Sequence, residues 1–156
     1  MSADIRIEPA QEADLPAIRL LLTELMQAMT DTEGFSIDQS VENCRSLIRD
    51  PAQYVLVARQ GTNILGFINF STRKTVMHPA PSALIDELVV SKKSRETGIG
   101  KQLIQRAIGK SRELGCCEVE VSTEKSNNEA RRFYKACGFE EDAVLLEYDL
   151  DDSPHG

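Results

Sequence analysis

The chain has 156 residues, enough for one domain with a sizeable core, and its 18 Lys and Arg against 25 Asp and Glu give a net charge of −7. That balance argues against a nucleic-acid surface, where a basic patch is expected, and is compatible with a cationic partner. No signal peptide is visible and no apolar run approaches the roughly 20 residues that span a bilayer, so we expect a cytoplasmic protein with no membrane contact. The four cysteines, Cys44, Cys116, Cys117 and Cys137, have neither Cys-x-x-Cys nor zinc-ligand spacing; we expect no metal, and thiols that sit reduced in the core. His78 and His155 lie in polar or Pro-rich stretches and read as solvated.

In chain order, Asp4–Glu8 alternates, with Ile5 and Ile7 on one face, and reads as a short strand. Ile18, Leu21, Leu22, Leu25, Met26 and Met29 recur at helical spacing, which predicts a helix over about 14–29, with Pro16 tolerated in its first turn. Ser36 with Gln39 is a capping-box pattern for a second helix to about Arg49, stopped by Asp50-Pro51. Tyr54–Arg59 and Ile64–Thr75 make an antiparallel hairpin about the turn at Gly61, and Gly66 inside the second strand signals a bend or bulge. A Pro-containing loop over 76–82 leads to a strand at Leu84–Val90.

A basic loop with Lys92, Lys93 and Arg95 follows that strand. Gly98 and Gly100 come next, and then an amphipathic helix carrying Ile99, Leu103, Ala107 and Leu114 on one face and ended by Gly115. Strand, glycine loop and helix start make a phosphate cradle, because the first helical N–H groups are free and the dipole there favours negative charge. A dinucleotide fingerprint would need glycine at Leu103, and a P-loop would need glycine at Arg95 and Ser or Thr at Gln102, so both fit poorly and a nucleotide-binding domain of another class is disfavoured. Cys117–Thr123 alternates as a half-buried strand, parallel to Leu84–Val90 because a helix crosses between them. Asn127–Cys137 is a helix stopped by Gly138-Phe139, and Val144–Leu150 a last strand. The order β-α-α-β-β-β-α-β-α-β predicts an α/β (α+β) chain with a mixed, mainly antiparallel sheet flanked by helices.

Arg95-x-x-Gly98-x-Gly100, behind a strand ending Leu88-Val89-Val90, resembles the acetyl-CoA pyrophosphate loop of the GNAT superfamily of N-acetyltransferases. A second motif of that family, Asn-x-x-Ala-x-x-Phe-Tyr-x-x-x-Gly-Phe, is matched by Asn127, Ala130, Phe133, Tyr134, Gly138 and Phe139 without insertion. The resemblance covers nearly the whole chain. It implies the acyl-CoA N-acyltransferase fold with a splayed central parallel strand pair, in a single domain over 1–150 followed by an acidic tail at 151–156. It also implies acetyl-CoA as co-substrate and a primary amine of a small molecule or protein as acceptor, attacking directly in a ternary complex. Family members often pair as homodimers.

Carried over residue by residue, the resemblance places the diphosphate on Arg95, Glu96, Thr97, Gly98, Ile99 and Gly100, with Lys101 beside them. The pantetheine arm pairs with backbone groups of Leu88, Val89 and Val90, an N–H near Val89 faces the oxyanion, and Asn127 bonds the pantetheine side. Tyr134 is the general acid for the leaving thiolate. The base is Asp86 or Glu87: strand alternation sets Glu87 with Ile85 and Val89 and Asp86 with Leu84, Leu88 and Val90, and Glu87 is preferred. Two positions depart from the family pattern, Glu96 where glycine is frequent and Ser94 where Tyr or Phe is. Glu24, Asp31, Glu33 and Asp38 gather near the expected acceptor side, and point to a cationic amine. The competing reading is a catalytically weak CoA-binding sensor or partner subunit; the presence of Tyr134 argues against it.

Overall fold

The computed structural model describes residues 4–29 and 31–151. They form two compact units, one running to Val121 and a smaller one beginning at Ser122.

The first unit is built on a five-stranded sheet in the order β1 (Ile5–Pro9), β2 (Gln53–Gln60), β3 (Asn63–Arg73), β4 (Ser82–Val90), β5 (Glu118–Val121). Successive pairs are antiparallel except β4 with β5, which is parallel, as the crossover helix between them requires. The apolar stripes of α1 (Leu15–Ala28) and α2 (Ile37–Arg49) cover one face. There Leu15, Ile18, Leu21, Val41 and Cys44 pack with Val55, Val57, Phe67 and Val89. Helix α3 (Ile99–Glu113) takes the opposite face with Leu103, Ile104 and Ala107 buried, and its Lys110 ammonium lies 5.9 Å from the Tyr54 ring, which stacks on Phe70.

Local chemistry sets the boundaries. Ser36 caps α2, its Oγ accepting from the Gln39 N–H at 3.3 Å, while the Gln39 amide turns to Asn43 and leaves the box half made. Ahead of α1, the Gln11 N–H donates to Asp14 at 2.9 Å. Asp14 also meets Arg59 at 2.9 Å, and Arg59 reaches on to Glu8, tying the start of α1 to β1 and β2. Burial pushes the Asp14 carboxyl up, but the Arg59 hydrogen bond, the Gln11 N–H and the Arg59 charge outweigh it and hold the group below its ordinary 3.8. Its stabilisation is therefore complete above that value and is lost as pH falls through the lower folded value. Asp14→Asn should cost about 1–3 kcal/mol near neutral pH and flatten the acid side of a denaturant-midpoint-against-pH curve. A parental acid side in that variant would show that Asp14 does not carry it.

Two irregularities bend the sheet. Pairing steps from Ala58–Gly66 to Arg59–Ile64, a bulge beside the glycine that signalled one. It steps again from Asn69–Glu87 to Phe70–Ile85, which leaves Asp86 as an extra residue in β4.

In the second unit, Asn127 caps α4 (Asn128–Ala136), its Oδ1 accepting from the Ala130 N–H at 3.0 Å. The helix closes with the Gly138 N–H on the Lys135 carbonyl and the Phe139 N–H on the Tyr134 carbonyl, with Gly138 at φ 102°. That is a Schellman motif, and the apolar contact it favours is met by Phe139 and Tyr134, whose rings are 5.7 Å apart. Arg131 grips Glu141 with two bonds of 2.8 and 3.0 Å.

The expected last strand does not form. Residues 139–150 carry no regular structure, and Val144, Leu146, Tyr148 and Leu150 are exposed. Their alternation is that of a strand, but a strand persists only where its backbone groups find a neighbouring ladder, and the sheet contains five strands. The cysteines also differ from expectation. Of the four, only Cys44 is buried; Cys116 and Cys137 are half-buried and Cys117 is exposed, its thiol bonded to the Ala80 carbonyl. His78 is exposed between Thr75 (2.7 Å) and Glu118 (3.2 Å). His155 and the tail beyond Asp151 lie outside the described residues.

Candidate active site

Strand β4 is paired with β3 along nearly all its length, but with β5 only from Ser82 to Ile85. Beyond Ile85, β5 contributes no ladder to β4, and among the described residues no strand pairs with the edge from Asp86 to Val90 on that side. Backbone polar groups need partners. Pairs in an antiparallel ladder alternate between bonded and unbonded. With the Ser91 N–H on Leu65, the Val89 groups turn to Phe67 of β3. Those of Leu88 and Val90 therefore face this edge and are placed to pair with an extended ligand.

The chain then makes a braced turn. The Ser91 N–H donates to Leu65, the Ser91 hydroxyl to Ser94, and the Thr97 hydroxyl to the Ser94 carbonyl. Ser94 is buried by these contacts, so where the family often has an aromatic ring this chain has a hydrogen-bonded serine. Glu24 of α1 accepts the Lys92 N–H at 3.0 Å. Gly98, at φ 88°, starts α3 with no side-chain cap, and the first helical bond runs from the Gln102 N–H to the Gly98 carbonyl. The N–H groups of Ile99, Gly100 and Lys101 precede that bond and are the unpaired donors of the helix start. Lys92, Lys93, Arg95, Thr97 and Lys101 are exposed around them. Free donors, a helix dipole and four cations suit a diphosphate.

Glu96 is the non-glycine residue with positive φ among the described residues, at 65°. An L-residue there costs about 1–2 kcal/mol, and its carboxylate adds negative charge to an anion cradle. Glu96→Gly should relieve that strain, partly offset by glycine's looser unfolded chain, and tighten acetyl-CoA binding several-fold in calorimetry. Unchanged affinity would mean that this carboxylate does not act on the cofactor.

The two carboxylates do not follow simple alternation. Because Asp86 is the bulge residue, Ile85 pairs with Phe70 while Glu87 pairs with Asn69 and Val89 with Phe67. Glu87 therefore shares the α1/α2 face with Val89, as expected, but Ile85 does not share it. The bulge takes up the half-period between them. Burial raises the Asp86 carboxyl. Glu87 reaches solvent, yet surrounding protein raises its carboxyl too; a hydrogen bond from Asn69 opposes the shift and the Asp86 charge adds to it. The thiol of Cys44 on α2 is pushed up to about 11 by burial and by the Glu87 charge. A carboxylate of raised pKa on a strand edge can act as a base near neutrality.

In the second unit, Tyr134 sits between Phe133 and Phe139, both edge-on to it at 5.2 and 5.7 Å. Burial, then the Cys137 charge, raises its hydroxyl above the ordinary 10.0, so the phenol holds its proton at neutral pH. Asn127 spends its carbonyl oxygen on the helix cap, which leaves its amide N–H groups for a ligand.

Three of the four acidic residues expected near the acceptor have partners for their carboxylates. Asp38 pairs with Arg19 at 2.6 Å, Glu24 holds Lys92, and Asp31 accepts the Glu33 N–H. Sequence reasoning missed the bracing role of Glu24, which has no local signal, and missed Asn69 altogether. An asparagine inside the apolar run Phe67-Ile68-Asn69-Phe70 was itself a signal, since asparagine is depleted in strands. Among the described residues, no group of three or more His, Cys, Asp or Glu could hold a metal ion, and no helix is long and apolar enough to cross a membrane.

Comparison with known proteins agrees with this geometry. Residues 16–139 match the acetyltransferase (GNAT) family. The chain is 29% identical over 150 residues to N-alpha-acetyltransferase 30 of Homo sapiens, an alignment covering 92% of this chain and 40% of that protein. It is 26% identical over 132 residues to the aminoalkylphosphonate N-acetyltransferase of Salmonella typhimurium, covering 85% of this chain and 82% of the relative. The chain spans about two fifths of the length of the human relative. Among solved structures, the aminoglycoside N-acetyltransferase AAC(6')-Iy in complex with CoA superposes with a TM-score of 0.81 at 22% identity, covering 96% of this chain and 95% of that one.

Proposed function

The chain belongs to the acetyltransferase (GNAT) family, and from that premise we propose that it moves the acetyl group of acetyl-CoA to a primary amine by direct attack in a ternary complex. The observation that carries the reading is the open β4 edge at Leu88–Val90, followed in sequence by the uncapped start of α3. An extended pantetheine arm satisfies the first, and a diphosphate the second.

On this reading the amine nitrogen attacks the thioester carbonyl carbon. Glu87, directly or through water, takes the amine proton as the C–N bond forms, with Asp86 the alternative base. An N–H beside Val89 on the outer edge of β4, that of Leu88 or Val90, steadies the developing oxyanion. When the C–S bond breaks, Tyr134 gives its proton to the departing thiolate and recovers one from solvent, leaving the N-acetyl amine and CoA thiol. Arg95, Thr97 and Lys101 add charge and hydrogen bonds to the diphosphate, and Asn127 bonds the pantetheine arm through its amide.

The acceptor's class is open to direct assay. CoA thiol release from acetyl-CoA should be scored against peptides with free N-terminal amines, an aminoalkylphosphonate and an aminoglycoside. Release that depends on one of these amines supports the transferase. Binding of acetyl-CoA without amine-dependent release from any of them would favour the CoA-sensor reading.

A further inference from the structure

Asn69 lies in the middle of β3 between Ile68 and Phe70, both fully buried, and is itself only 6% exposed. Its side-chain oxygen Oδ1 is buried with no hydrogen-bond partner. A buried orphan acceptor is destabilising, and asparagine is a poor strand residue. Packing therefore gives no reason for it, since a branched apolar side chain would serve the core better. Its neighbour across the ladder is Glu87, at the step where the bulge inserts Asp86, and its amide side chain works to hold the raised Glu87 carboxyl down. The mechanism above uses Glu87 but assigns Asn69 nothing.

We propose that Asn69 is a positioning residue for Glu87: its amide N–H fixes the carboxylate across the bulge in the orientation from which it takes the amine proton. The orphaned oxygen is the consequence, because an amide that turns its N–H to Glu87 must turn its oxygen into the core. The proposal rests on Glu87 being the base. The charged and titratable groups that face Glu87 are Asp86 on its own strand and Cys44 on α2, with Asn69 the polar neighbour on β3. Burial and the Asp86 charge favour the protonated carboxyl. The Asn69 N–H favours the ionised one. Without it Glu87 holds its proton to higher pH and is less often available as a base.

The first arm of the test needs no acceptor. The protein is labelled with 13C at the glutamate carboxyls and titrated by NMR as parent, Asn69→Leu and Asn69→Val, with Glu87→Gln identifying the resonance by its loss. Thermal denaturation is run on the same samples. Both Asn69 variants should melt at or above the parental temperature, since the orphan is gone, while the Glu87 midpoint moves upward. With the fastest amine of the panel above, CoA release at neutral pH should fall about tenfold. An unmoved midpoint in the variant that folds overturns the proposal, and a lowered melting temperature with an unmoved midpoint marks Asn69 as structural only. If instead Glu87→Gln releases CoA at the parental rate, the base assignment itself fails, whatever Asn69 does to the titration.

Discussion

Replacing Tyr134 with Phe should lower turnover by about two orders of magnitude, the range expected for loss of one general acid, while acetyl-CoA affinity stays close to parental. The ring is held by Phe133 on one side and Phe139 on the other, and its carbonyl closes the helix through the Phe139 N–H. None of these contacts uses the phenolic oxygen, so Phe keeps the packing and removes only the proton donor. Burial and the Cys137 charge raise the hydroxyl, so the basic limb of the parental pH–rate profile should lie above the ordinary tyrosine range and vanish in the variant. The acid limb belongs to the base. The Glu87 carboxyl is raised by burial, so the rate should climb as pH rises through a midpoint above the usual glutamate value. Steady-state kinetics with calorimetry separates the two quantities. Unchanged turnover in Tyr134→Phe rejects the acid role, and a large loss of affinity with unchanged turnover makes Tyr134 a binding residue.

Gly66→Ala should damage both stability and activity. A Cβ at Gly66 would stand 2.7 Å from the Val89 carbonyl oxygen and 3.3 Å from the Leu103 Cδ1. The first contact is with backbone, which cannot swing aside as a side chain can. Overpacking of this kind costs about 1–3 kcal/mol, a fall of several degrees in melting temperature for a chain of this size. The strand that must yield is β4 at Val89, between the Leu88 and Val90 N–H groups assigned to the ligand, so turnover should fall further than stability alone explains. Denaturation and kinetics at a temperature where the variant is fully folded distinguish these effects. A variant that is destabilised but turns over normally would show that the Val89 position has no part in the chemistry.

Much of this arrangement was legible because each signal is local. Ser36 before α2, glycine at 98, 115 and 138, and the helical spacing of Ile18 and Leu21 each depend on a few neighbouring residues, and each element stands where the pattern places it. The Tyr-x-x-x-Gly-Phe spacing is the Schellman motif written in sequence. What escaped depends on pairing between distant segments. The bulge at Asp86 is a property of the β3–β4 register, and it altered which residues share a face with Glu87. The role of Asn69 follows from that same register. The stretch Val144–Leu150 shows the converse: its alternation is sound, but whether a strand forms is decided by a partner that alternation cannot supply. The charge of Glu24 is plain in the sequence, but its bracing of the turn after β4 acts on a residue 68 positions away.

Backbone amide resonances of the 15N-labelled protein, followed as CoA is added, test the central assignment most directly. Saturable shifts at Ile99, Gly100 and Lys101 together with Leu88 and Val90 are the predicted result, with both groups titrating to the same dissociation constant. Saturable shifts confined to other residues, or none at millimolar CoA, would contradict the claim that these unpaired amides hold the cofactor.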